Sequence, residues 1–580
     1  MNALIDRISK AYDEVPYTSA AFTVSAPEHL RAVAHLFGLD APVPERARVL
    51  ELGCAAGGNL IPFAVRHPGA EVVGIDLSPV QIDIGRNLVE AMGLKNVRLI
   101  QGSIADVGQE LGKFDYIVCH GVYSWVPEDV RAAILRVCSE RLTPDGVAYV
   151  SYNTYPGWKA KEIVRDAMLL RAGDRAAARE RLAYARGIIE FLHEQAKQGT
   201  VLSTVMGEHI DMIRDGEDYY LSHEYLELCN APCYFKDFVS DARAQDLEYL
   251  GDATVATMFA SNYGTAAAPA LLAECGGDQV VLEQLLDFLQ NRTFRQSLLV
   301  HADRGAKIRY QLAAERIANL HVAGRYAKDD TGANGMVHWT YTGGATVSTY
   351  SPVTSEVIEQ LNAAWPATVP VAELLSTCSE GDTDRVLELV TNLIVGNAVR
   401  FRSEPVVPGT LGDKPAVRPE LRKLAAAGDH PVVLFTEWHQ PAKVAPMERF
   451  LLPLLSGDVD AEQLVGAVQQ AVEQGGLRVT RDGETLTDPI EVLASIRGQV
   501  NSALDSLAVN AMLCASPVKA EAASATPVGK SVDKASPKPA KAANTKAAKP
   551  TAKTEAPAKP AAKPEAPASS KPSRPPRGKK

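Results

Sequence analysis

The first third of the sequence predicts an α/β fold, a parallel sheet covered by helices on both faces, followed by mostly α-helical segments and a tail without a core. Three observations predict it. Short apolar runs alternate with amphipathic stretches between residues 48 and 152. The runs are near-continuous in apolar character, as strands buried on both faces are. After Trp158 the alternation stops and helical periodicity takes over.

Each element can be justified in turn. "PEHLRAVAHLFG" (27–38) reads as a helix closing on Gly38. "RVLELG" (48–53), "EVVGID" (71–76), "VRLIQG" (97–102), "FDYIVC" (114–119) and "VAYVSY" (147–152) read as strands. Between them, 59–67, 78–93 and 126–142 read as helices, with Ser78 and Pro79 suited to the cap and first position of the second. Residues 159–172 and 175–198 are helical, with Leu182, Ala185, Ile189 and Leu192 on one face of the latter. Residues 218–253, with helical runs to about 300, form a further unit. From 301 to 405, helices end in "NAVRFRSEP" (397–405), a helix-then-hairpin pattern that suits a winged helix. A Pro/Gly-rich break at 404–419 precedes a mixed segment to about 513. The expected divisions are a helical cap (1–47), the α/β domain (48–172), a helical connector (173–215), a further domain (216–300), a helical, winged-helix-like region (301–405), a C-terminal winged-helix-like domain (420–513) and the tail (516–580).

The net charge of -10 hides an asymmetry: residues 516–580 hold 15 Lys plus Arg against 4 Asp plus Glu, so a +11 tail follows a body of -21. This Lys/Ala/Pro tail has almost nothing to bury and is expected to be disordered. Its charge suits non-specific binding of nucleic acid or anionic surfaces. The eight Cys have no framework spacing, and Cys229 and Cys233 beside His223 lack the second pair of a zinc site, so no metal is expected. The start "MNALIDRISKAYDEVPY" is too acidic and interrupted for a signal peptide, and no apolar run reaches the ~20 residues of a membrane span. A cytoplasmic location is expected.

"VLELGCAAGGNL" (49–60) places glycines where a strand turns into a helix, so backbone N–H groups face a ligand at close range. A dinucleotide loop would want glycine at Ala55, whereas Glu51, Gly53 and Gly57 meet the looser S-adenosylmethionine pattern. Asp76, at the end of the second strand, can take both ribose hydroxyls of either cofactor. The Pro-x-Gly turn in "LTPDGVAYVSY" (142–152), and the lack of a second mononucleotide-binding half, favour S-adenosylmethionine.

Residues 48–152 thus resemble a class I (Rossmann-like, seven-stranded) S-adenosylmethionine-dependent methyltransferase domain. "YDEVPYTSAAF" (12–22), "FDYIVCHGVYSWVP" (114–127), "YNTYPGW" (152–158) and "HEYLELCNAPCYFKDF" (223–238) resemble a narrower bacterial group, with a methyltransferase regulatory domain and a C-terminal winged-helix-like domain. Rickettsial protein-lysine methyltransferases belong to it. The resemblance makes 216–300 the regulatory domain. It implies that Glu51, Gly53 and Gly57, with Cys54 and Ala55 between them, line the methionine end of the cofactor. Asp76 would bind the ribose with Leu77 beside the adenine, and Ser103 and Ile104 would hold the adenine edge. His120, at the end of strand four, would lie next to the methyl donor.

The acceptor is constrained by what strand four lacks. It ends in "VCHGVYSW" (118–125) without the Asn/Asp-Pro-Pro-aromatic motif of adenine methylation, and Cys119 follows Val118 where a cytosine-methylating Cys is typically preceded by Pro. Tyr123, Trp125, Tyr152, Asn153, Tyr155 and Trp158 cluster at the ends of strands four and five, where open α/β sheets bind ligands. Aromatic faces suit alkylammonium groups, and His120 can serve as a proton acceptor. The resemblance points to protein lysine. A small-molecule acceptor stays open, as does a weakly catalytic interaction protein with a polyanion-binding tail.

Overall fold

The computed structural model describes residues 18–515, apart from 174–177, 265, 330–334, 380, 429 and 482–483. The basic tail, the first part of the N-terminal cap and most of the 12–22 motif therefore lie outside the described residues. Five strands stand where the sequence expects them: β1 (Arg48–Leu52), β2 (Glu71–Asp76), β3 (Val97–Gln101), β4 (Phe114–Cys119) and β5 (Leu142–Asn153). The helices around them are α1 (Pro27–Leu36), α2 (Leu60–Arg66), α3 (Pro79–Met92) and α4 (Glu128–Arg141). The Ser78 hydroxyl caps α3 by accepting from Gln81 N–H at 3.2 Å, and Gly93 ends it at φ +79°.

The chain then leaves the sheet as four helices, α5 (Gly157–Ala172), α6 (Ala178–Gln195), α7 (Val201–Asp215) and α8 (Asp218–Tyr225), followed by α9 (Phe235–Arg243). Gly157 begins α5 because the chain passes too close for a side chain: a Cβ there would sit 2.4 Å from the carbonyl oxygens of Asn291 and Arg292. The apolar face expected on the second helix is buried, with Leu182, Ala185 and Ile189 packed among Val164, Met168, Ile210, Leu221 and Tyr225.

The sheet is completed from a segment that the sequence read as a separate unit. Strands β6 (Leu247–Asp252) and β7 (Phe294–His301) join it, giving seven strands in the order β3-β2-β1-β4-β5-β7-β6. β7 runs antiparallel to both β5 and β6, whereas β1 to β5 are parallel neighbours. Polar residues mask β7 in the sequence. Arg295 is fully buried in it, held by Glu283 at 2.9 Å and by Asp287 at 2.8 Å, both on α10 (Gln279–Gln290). A buried cation matched by two carboxylates reads locally as a surface pattern.

One face of the sheet packs Val49, Val72, Tyr116 and Val118 under α1 and α2. The other packs Leu50, Ile75, Ile117 and Val150 under α4 and α9. Beyond β7, His321–Ala323 pairs antiparallel with Val369–Pro370 on one side and Arg400–Arg402 on the other. The helices Val371–Thr377 and Thr383–Val395 lie between those outer strands in sequence. Leu421, Leu424, Leu451, Val500 and Leu504 of the last segment share a core with Ile61 and Val65 of α2 and Leu88 and Met92 of α3. That segment therefore braces the helices that follow β1 and β2. Among the described residues no helix is long and apolar enough to cross a membrane.

Candidate active site

A cavity of about 540 Å³ opens at the carboxyl ends of the parallel strands. Its floor is the turn after β1. Gly53 has φ +77°, and a Cβ there would lie 2.4 Å from Val122 Cγ2, so only glycine fits. Ala55 adopts φ +46° in the left-handed region, and its N–H donates to Asp76 Oδ2 at 2.8 Å. Asp76 Oδ1 accepts from Ser78 N–H at 2.9 Å, so the ribose-binding candidate is fixed from both sides by backbone.

Glu51, at the end of β1, is buried. Its Oε1 accepts from Asn59 Nδ2 at 2.8 Å, and its Oε2 has no partner among the described residues. Burial, eased by Asn59 and reinforced by the charge of Asp76, pushes its carboxyl up to about 8. Residues 18–22 lie across the loop: the Ser19 hydroxyl accepts from Gly58 N–H at 2.8 Å, and Phe22 stacks on His120 at 3.8 Å between ring centres.

His120 follows β4 and lines the cavity, with its Nδ1 bonded to the Tyr149 hydroxyl at 2.8 Å. Burial lowers its pKa to about 4, so it is neutral at physiological pH and a weak base. The Cys119 thiol is fully buried and pushed well above its ordinary value, which makes it inert.

The structure sorts the sequence candidates by position. Glu51, Gly53, Cys54, Ala55, Asp76, Leu77, Ser103, Ile104, His120, Trp125 and Asn153 all line the cavity. Gly57, Tyr123, Tyr152 and Tyr155 stand outside its lining. Gly57 shapes the turn from beneath, at φ +83°. Tyr152 stacks on Phe238 at 4.1 Å and bonds Ser297 Oγ at 3.0 Å, with Tyr123 against the same ring, so both brace the sheet against α9. The Tyr155 hydroxyl donates to Glu162 at 2.5 Å. Tyr155 follows the end of β5 and is turned toward α5 instead.

Other lining residues were not singled out as site residues: Phe22, Asn59, Lys161, Tyr220, Glu224 and Phe294. His223 and Glu224, which in sequence resemble a hydrolytic pair or a polar helix start, reach the cavity from α8. His223 Nδ1 bonds Glu227 Oε1 at 2.6 Å, and Glu224 pairs with Lys161. In the sequence, Phe22 lies within "YDEVPYTSAAF", Asn59 within "VLELGCAAGGNL", and His223 and Glu224 within "HEYLELCNAPCYFKDF", whereas Lys161, Tyr220 and Phe294 fall in none of these stretches.

Known proteins resemble this chain over most of its length. The uncharacterized protein RP789 of Rickettsia prowazekii (strain Madrid E) is 33% identical over 526 residues, covering 87% of this chain and 93% of its own. Family profiles match a methyltransferase domain at 49–146, a predicted methyltransferase regulatory domain at 217–301 and the C-terminal winged helix domain of PKMT at 413–512. The chain belongs to this methyltransferase family. The solved structure of PKMT2 from Rickettsia typhi in complex with AdoHcy matches with a TM-score of 0.77 at 27% identity, over 86% of this chain and 100% of that one.

The protein is a class I S-adenosylmethionine-dependent methyltransferase with regulatory and winged-helix domains. The residues present fit that cofactor. The unpartnered Glu51 Oε2 offers an acceptor for a cationic amino group, and Gly53 leaves the space that a Cβ would fill. The regulatory segment is not remote from the site. It supplies β6 and β7 to the sheet and Tyr220, His223 and Glu224 to the cavity wall of this methyltransferase.

Proposed function

We propose that the enzyme N-methylates lysine side chains of proteins. The observation that carries this reading is the aromatic make-up of the cavity lining. Phe22, Trp125, Trp158 and Phe294 line the cavity together with the carboxylate of Glu224, a set that receives an alkylammonium group. The PKMT2 likeness and the PKMT winged-helix profile support the same acceptor. Bound in the cavity, S-adenosylmethionine supplies an electrophilic methyl group on a sulfonium. Glu51 and Asp76 are assigned to its amino group and ribose, with Leu77, Ser103 and Ile104 around the adenine.

The chain's own contribution is desolvation and alignment. A lysine amine is almost wholly protonated at neutral pH, so the site must strip water and let a proton leave before attack. The aromatic wall excludes water, and it aims the side chain along the cavity. His120, neutral and stacked on Phe22, is assigned to positioning, since a base with a pKa of about 4 takes a proton poorly.

Incubating the protein with cell lysate and methyl-labelled cofactor tests the acceptor class. Protease-sensitive label is expected, and nuclease-sensitive or low-molecular-weight label would sink the proposal.

A further inference from the structure

Lys161 and Glu224 form an ion pair in the wall of the candidate active site, with Nζ 2.9 Å from Oε1 and both side chains only 17% exposed. The same ammonium lies 5.1 Å from the centre of the Trp158 ring, which is buried and meets Trp125 edge to face at 6.0 Å. Lys161 and Trp158 stand one turn apart on α5, whereas Glu224 comes from α8. A carboxylate and an aromatic face are the two groups that together recognise an alkylammonium. Stability does not explain the pair. Partly buried ion pairs contribute little net stability, and α5 and α8 already share the apolar core of Val164, Met168, Leu221 and Tyr225.

We propose that Lys161 is an internal stand-in for the acceptor: its ammonium occupies an alkylammonium subsite formed by Trp158 and Glu224, and an incoming lysine displaces it. This inference rests on the lysine-methylating reading and names the subsite that reading needs. Displacement keeps Glu224 paired, since one ammonium leaves it as another arrives. The freed Lys161 remains tethered one helical turn from Trp158. Its like charge favours the neutral form of the incoming amine, the form that can attack.

The test compares binding of Nα-acetyl-lysine N-methylamide, followed by ligand-observed NMR titration, to the full chain and to Lys161→Met and Glu224→Gln. Lys161→Met is expected to bind the probe on the order of tenfold more tightly, because the internal competitor is gone. Glu224→Gln is expected to bind it on the order of tenfold more weakly, and the norleucine analogue should show neither shift. An ion pair that merely clamps α5 to α8 would shift both variants in one direction or neither, and either pattern overturns the proposal. Should Lys161→Met fail to fold, Lys161→Gln gives the same comparison with a polar side chain. Opposed shifts without lysine labelling would retain the subsite and remove the lysine-methylating reading. Lysine labelling with parallel shifts would do the reverse.

Discussion

His439 Nε2 lies 2.9 Å from Asn59 Oδ1, joining the C-terminal domain to the glycine loop after β1. The direction of the bond follows from the neighbours. Arg66 Nη2 can only donate, so His439 Nδ1, at 2.9 Å, must accept, and Nε2–H donates to Asn59. Asn59 Nδ2 then donates to Glu51 Oε1 at 2.8 Å. A buried, neutral histidine is required throughout, and burial with the charge of Arg66 holds its pKa well below the ordinary value. Two further bonds tie the same domain to the strap across the loop: Ser19 N–H to the Pro431 carbonyl at 2.8 Å and Val433 N–H to the Ser19 carbonyl at 2.9 Å.

Breaking this chain at Asn59 should cost both stability and cofactor binding. Asn59→Ala leaves Glu51 without its one observed partner and His439 Nε2–H without an acceptor. A loss of about 1–3 kcal/mol in unfolding free energy is expected, together with at least a tenfold weaker cofactor Kd. Denaturant unfolding and calorimetry measure the two. His439→Ala should also weaken cofactor binding, but less, because His439 reaches the cavity only through Asn59.

Glu51 sets a pH dependence that differs from that of an ordinary carboxylate. Its folded-state pKa of about 8 lies above the unfolded value, so across the window between them the folded chain holds the extra proton. Its contribution to stability therefore falls as pH rises through that window. A cationic ligand favours the ionised form, so cofactor binding below about pH 8 should release a proton and tighten as pH rises. Calorimetry in buffers of different ionisation enthalpy reads the proton release, which Glu51→Gln should abolish.

Ala55 holds a left-handed backbone without being glycine, at φ +46°. Ala55→Gly should be neutral or stabilising by up to about 1 kcal/mol and should keep cofactor binding. Ala55→Val should lose at least that much and impair binding, because a branched side chain resists this conformation. Thermal unfolding of the two variants gives the comparison.

Much of this was legible from local pattern. Five strands, the cap at Ser78, the glycine loop and Asp76 all follow from residues adjacent in sequence. β6 and β7 were hidden because Arg295 and its carboxylates imitate a surface, and because β7 pairs with β5 across more than a hundred residues, which leaves no periodicity. Lys161, Glu224 and Asn59 were missed for a related reason: each acts through a partner on another element. The aromatic cluster was found, but its depth was not. Tyr123, Tyr152 and Tyr155 share the region of Trp125 and Asn153, yet only packing decides which side chains reach the cavity.

Tyr152 shows how the two roles separate. Tyr152→Phe deletes the hydroxyl bonded to Ser297 in a buried site, so about 1 kcal/mol of stability should go. The KM for a protein substrate should stay unchanged, since the ring stacks on Phe238 away from the cavity lining. Steady-state kinetics beside denaturant unfolding checks both.

The acceptor itself is tested most directly by removing it. Two portions of one cell lysate, one with its lysines first blocked by reductive dimethylation, are incubated with the protein and methyl-labelled cofactor, with Asp76→Ala as control. The lysine reading predicts strong label in the untreated portion, background label in the blocked portion, and none from Asp76→Ala. Equal label in the blocked and untreated portions would contradict it.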